Sequence, residues 1–272
     1  MSVSASRPYR KAAILLSFLV MVIVNALANA LPLNGVQTGD VADRYQNLFT
    51  PAPLTFAIWG VIYLALLVYV VFQILPENPS ADGARQAMLN RVGNLFIMSS
   101  VLNAGWIFAW HYNQIALSLA IMALILLTLM RAAWLLRQPH CNPKEELTLR
   151  LPFGVYFGWI TVATIANTVV WLRGLQWNGF GISDPVWTAI LLVVGAAIAS
   201  VTLYRIRNVG YGLAVIWAYA GILSRHVSPQ WYGGQYALVI VTAAAMLAVL
   251  VAALAVSAVH MRKVAACDIR SR

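Results

Sequence analysis

Apolar residues run along this chain in long unbroken stretches, unlike the alternation of a half-buried strand or the broken stripe of a soluble helix. Eight stretches approach the roughly 20 residues that cross a bilayer. They fall at about 12–31, 54–75, 92–110, 114–136, 151–172, 185–204, 208–224 and 236–260. The seventh is the shortest, and Arg207 and Arg225 at its two ends are placed to snorkel to opposite interfaces. In hydrocarbon the backbone must satisfy its own hydrogen bonds, which leaves helices or a closed barrel. Barrels need short alternating segments, so these runs predict helices. The expected fold is all-α, a polytopic membrane helical bundle of about eight transmembrane helices.

The polar positions between the runs test that count. Arg7, Arg10 and Lys11 precede the first span, and Arg85 and Arg91 lie between the second and third. Arg131, Arg137, Lys144 and Arg150 surround the fourth connection, and Arg205 and Arg207 lie in the sixth. Arg262, Lys263, Arg270 and Arg272 follow the last span. The opposite side holds only Arg44, Arg173 and Arg225. Positive charge stays on the cytoplasmic side, so both ends are expected in the cytoplasm, in a bacterial-type plasma membrane. Missing one helix would scramble the alternation. The N-terminal run ends in Ala28-Asn29-Ala30, which resembles a signal-peptide cleavage site. The run is longer than a usual signal core, and a retained first span is expected.

Composition agrees. The chain is 61% hydrophobic and 10% charged, where a soluble domain carries roughly 25% charged residues. The net charge of +10 follows from basic residues at span ends, so nucleic acid is not an expected partner and the lipid bilayer is. Cys141 and Cys267 fall in segments assigned to the cytoplasm, so a disulfide is not expected. No His/Cys cluster points to a metal; His140 beside Cys141 is the only hint.

No Asp or Glu interrupts a span, whereas ion-coupled carriers keep ionisable groups inside the bundle. No nucleophile elbow, phosphate loop or nucleotide fingerprint is present, so nothing demands an enzyme and no catalytic residue is assigned. What the spans do contain is aromatic residues and Asn. Phe56, Trp59 and Tyr63 share one helix face, as do Asn103, Trp106 and Trp110. Trp159, Asn167 and Trp171 lie on one side of the fifth span, and Asn25 and Asn29 repeat in the first. Singly, such residues belong to interfacial belts or interhelical glue. Together, aromatic walls with a few polar groups could form a pocket for a hydrophobic small molecule. The segment 32–53 is long enough to cover its mouth as a lid and, with Gly35 and Gly39, is expected to be mobile without ligand. Gly154-x-x-x-Gly158 permits close helix approach, within the chain by preference or in a homodimer.

Three ordered segments resemble the TspO/MBR family, the tryptophan-rich sensory proteins related to the translocator protein. Phe49 through Tyr63, with Pro51, Pro53 and Trp59, looks like that family's entry to its second helix. Leu102-Asn103-x-x-Trp106-x-x-x-Trp110 looks like its third-helix motif, and Tyr156-x-x-Trp159 with Asn167 and Trp171 like its fifth. Val155 stands where the family usually has Pro, Trp110 where Phe is common, and Phe56 to Trp59 is one residue shorter than the usual spacing. The likeness covers about 12–175. It implies a five-helix TspO-like unit, residues 1–175, and a three-helix extension, residues 176–272. It also implies binding of a porphyrin or other planar tetrapyrrole, with a role as receptor or sensor. The ligand-binding residues would be Phe56, Trp59, Tyr63, Asn103, Trp106, Trp110, Trp159 and Asn167. An uncoupled permease for a hydrophobic solute and a structural membrane protein are the alternatives.

Overall fold

The computed structural model describes residues 8–31, 33–75, 83–137 and 143–270; His140 and Cys141 lie outside these, as does the side chain of Cys267. Every regular element among the described residues is helical. The long helices are α1 (Pro8–Ala30), α3 (Ile58–Ile74), α4 (Gly83–His111), α5 (Ile115–Leu135), α6 (Leu151–Gly174), α7 (Asp184–Ile206), α8 (Val209–Val227) and α9 (Ala237–Arg270). A short α2 (Thr38–Arg44) lies in the first loop. A 3-10 turn, Pro53–Ala57, leads into α3, and a π turn, Glu146–Arg150, leads into α6.

Among the described residues, seven helical segments are long and apolar enough to cross a membrane. The eighth long helix, α8, is outside that set; it carries Arg225 and His226 and has an extensively buried surface. It still runs the full height of the bundle. Its cap residue Asn208 donates from Nδ2 to the Arg150 carbonyl at 2.6 Å, and Arg225 near its other end meets Asp43 at 2.8 Å. Being packed by α6 and α9, it needs less lipid-facing apolar surface than its neighbours. With α8 included, the described residues hold eight long helices in succession. Arg225 pairs with Asp43 and Gly174 meets Tyr45, which brings Arg44, Arg173 and Arg225 to the same end of the bundle as the first loop, while Lys11 near the start of α1 bonds the Leu75 carbonyl at the far end of α3.

Boundaries differ from the sequence expectation where polar residues extend a helix past its apolar run. Helix α4 begins at Gly83, nine residues ahead of the expected 92, because Arg85 finds a partner: it pairs with Glu145 at 2.6 Å. Lys11 donates to the Leu75 carbonyl at 3.1 Å, satisfying an acceptor near the end of α3.

Gly154 and Gly158 face α8. A Cβ on Gly154 would collide with Asn208 Oδ1, and one on Gly158 with the Tyr211 carbonyl oxygen. The small-residue motif therefore sets the internal α6–α8 contact. Arg225 does not snorkel. Its guanidinium is buried and bonds Asp43 and the Pro51 carbonyl, at 2.8 and 3.1 Å, because a partner inside the protein removes the need to reach water.

Candidate functional site

The aromatic faces of α3, α4 and α6 converge. Trp59 is the hub, with ring centroids 5.8 Å from Tyr63, 6.3 Å from Trp106, 6.0 Å from Tyr156 and 6.3 Å from Trp159. Phe56 meets Trp159 edge-on at 5.8 Å, and Trp106 stacks on Trp110 at 5.6 Å. Edge-to-face and offset pairs of this kind each contribute about 0.5–1.5 kcal/mol beyond area burial.

Six of the eight sequence-derived positions line one cavity: Phe56, Trp59, Trp106, Trp110, Trp159 and Asn167. Its volume is only about 50 Å³, because the indoles stack on one another and fill the space. Tyr63 and Asn103 are not on its wall. Asn103 is committed to holding helices together: it accepts from Asn25 Nδ2 at 2.8 Å and donates to the Tyr156 hydroxyl at 3.0 Å. Three N–H groups of the wall residues, Trp106 Nε1, Trp159 Nε1 and Asn167 Nδ2, are buried with no hydrogen-bond partner among the described residues. Asn167 uses its Oδ1 to accept from the Ser118 hydroxyl at 3.2 Å. A buried unpaired donor costs about 1–3 kcal/mol, so three around one cavity favour an acceptor-bearing occupant.

The first loop roofs this cavity with Thr38, Ala42, Thr50 and Pro51. It is tied at both halves. Trp110 Nε1 donates to the Thr38 carbonyl at 2.9 Å, and the His111 ring lies 3.1 Å from both Thr38 Oγ1 and the Leu33 carbonyl oxygen. From the other side, the Ala52 amide donates to the Gly221 carbonyl at 3.0 Å and Trp217 Nε1 to the Thr55 carbonyl at 2.8 Å. Tyr232, in the loop after α8, donates to the Asn47 carbonyl at 3.1 Å; burial pushes its phenol above the usual range. These ties oppose the loop mobility expected from its length and glycines.

Sequence reasoning missed part of the wall. Met122, Val162, Ala163, Ala166 and Val170 complete it. Positions 163, 166, 167 and 170 share a helix face, a signal available from spacing once Asn167 is chosen. Met122 has no such signal. Among the described residues no group of three or more His, Cys, Asp or Glu side chains is placed to hold a metal.

Alternating apolar helices around a buried aromatic cluster define a polytopic α-helical integral membrane protein. A family model described as TSPO-like protein matches residues 11–257, so the chain belongs to the TSPO-like family, membrane sensor and binding proteins in general. The match takes in the last three long helices as well as the first five. No curated protein and no solved structure matches the chain.

Proposed function

We propose that this protein is a membrane receptor or sensor for a hydrophobic planar ligand, a porphyrin or related tetrapyrrole, bound among α3, α4 and α6 beneath the first loop. The observation that carries the reading is the convergence of Trp59, Trp106, Trp110 and Trp159 on one cavity whose Trp106, Trp159 and Asn167 donors lack partners. Indole faces suit a flat ring system, and the free N–H groups suit its carboxylate or carbonyl oxygens. The cavity is too small for such a ligand as it stands, so binding separates the stacked indoles beneath the first loop. The lack of Asp and Glu within the span interiors supports recognition over ion-coupled transport. The charge distribution supports a plasma-membrane location with both ends in the cytoplasm. Residues 1–175 then form the binding unit, and 176–272 an extension that braces its roof.

The test is titration of the purified full-length protein with a porphyrin panel, read by quenching of tryptophan fluorescence. Saturable quenching by porphyrins, absent with non-planar hydrophobic controls of similar size, supports the reading. Quenching that fails to saturate for every porphyrin overturns it.

A further inference from the structure

A second and larger cavity lies on the other side of α6. Its volume is about 300 Å³, at the lower end of the range for small-molecule sites. Ile165, Val169 and Leu172 of α6 form one wall, and Thr188 and Leu191 of α7 face them. The gap exists because α7 packs chiefly on α9 and touches α6 little. Trp177 and Trp187, with ring centroids 5.2 Å apart, bound it at the loop end.

The polar groups of this wall are largely spent. Asn47 bonds the Tyr45 carbonyl through Nδ2 and accepts through Oδ1 from the Phe49 and Thr50 amides. Thr168 donates to the Thr164 carbonyl at 2.8 Å, and Trp187 Nε1 to the Gly179 carbonyl at 2.7 Å. The body of an occupant is therefore apolar. At the rim, Arg173 ion-pairs with Asp184 through Nη2, and its side chain is about one-third exposed, so the guanidinium is reachable from outside the pair. Asp184 sits in the first turn of α7, where free amide N–H groups stabilise a carboxylate, so Arg173 can be shared. From Ile165 to Arg173 the cleft follows α6 for about 12 Å at 1.5 Å per residue, a narrow shape suited to a chain.

We propose that this cavity binds a single apolar chain ending in an anionic oxygen head, with the chain against Val169 and Leu191 and the head on Arg173. The head belongs either to a free medium-chain carboxylate or to an anionic membrane phospholipid that lays one chain in the cleft.

The experiment titrates the purified full-length protein in detergent with 11-bromoundecanoate, whose bromine quenches nearby indoles. Parallel titrations use its methyl ester and a phosphatidylglycerol with brominated chains. Saturable quenching by at least one of the two anionic probes is expected. Val169→Phe and Leu191→Phe fill the cleft from opposite walls, and each is expected to weaken binding about tenfold. Arg173→Gln is expected to weaken the anionic probe and leave the ester unchanged. A preference for undecanoate assigns the head to a free carboxylate, and a preference for phosphatidylglycerol assigns it to bilayer lipid; either supports the site. Equal quenching in the wild type and in whichever filling variant keeps the wild-type thermal midpoint overturns it, as does equal affinity for acid and ester. Porphyrin titration of Val169→Phe reads the first site separately.

Discussion

Arg225 of α8 and Asp43 of α2 stand 2.8 Å apart, joining residues 182 positions apart in the chain. The Arg225 side chain is 8% exposed, and the guanidinium also lies over the Trp231 ring, 4.6 Å from its centroid. This pair fastens the roof of the aromatic cavity to a helix outside the first five.

Asp43 is partly exposed, so water can take up its carboxylate if Arg225 is removed. What is lost is the buried guanidinium's charge-assisted bonds to Asp43 and the Pro51 carbonyl, each worth about 1.5–3 kcal/mol. Arg225→Met is therefore expected to lower the thermal midpoint in detergent and to speed proteolytic cleavage within residues 33–52. Porphyrin is expected to restore protection if the roof closes on ligand. Cleavage at the wild-type rate would show that the pair does not hold the roof.

The two asparagines of the aromatic region have different work. Asn103→Leu strips partners from both Asn25 and Tyr156, so a stability loss of about 1–3 kcal/mol is expected. Asn167→Leu gives up one bond from Ser118 and a donor with no partner, so stability should change by no more than about 1 kcal/mol. Under the pocket reading, porphyrin affinity falls in Asn167→Leu beyond any stability change. Paired thermal melts and titrations decide this; unchanged affinity in Asn167→Leu removes that residue from the site.

Gly158→Ala pushes a methyl group against the Tyr211 carbonyl, where backbone meets backbone and neither can yield alone. Overpacking of this kind costs about 1–3 kcal/mol. Gly60→Ala, on α3 with nothing within 4 Å of its Cβ position, is expected to be neutral or slightly stabilising. Equal melting of the two variants would contradict the close α6–α8 contact.

Membrane sidedness can be read by labelling. Gln230→Cys, exposed in the loop after α8, is expected to react with a membrane-impermeant maleimide in intact cells. The native Cys141 and Cys267 are expected to react only after permeabilisation. The reverse pattern would invert the proposed orientation.

Much of this protein is decided by local sequence. Runs of apolar residues compel helices wherever lipid is the solvent, and basic residues at alternate connections order them. The helical spacing of Trp59, Trp106 and Trp159 brings aromatic residues to matching faces, and six of eight chosen positions share one cavity wall. What spacing does not encode is which groups each face meets. Asn103 looks like a pocket residue until Asn25 and Tyr156 take up its amide, and Arg225 looks like a snorkelling end residue until Asp43 arrives from the first loop. The stacked indoles that shrink the aromatic cavity to about 50 Å³, and the divergence of α6 from α7 that opens about 300 Å³ behind it, depend on several helices at once. In lipid, hydrophobicity does not choose between helix faces. Close approach at residues such as Gly158 and bonds between distant polar groups make that choice, and both exist only in the assembled bundle.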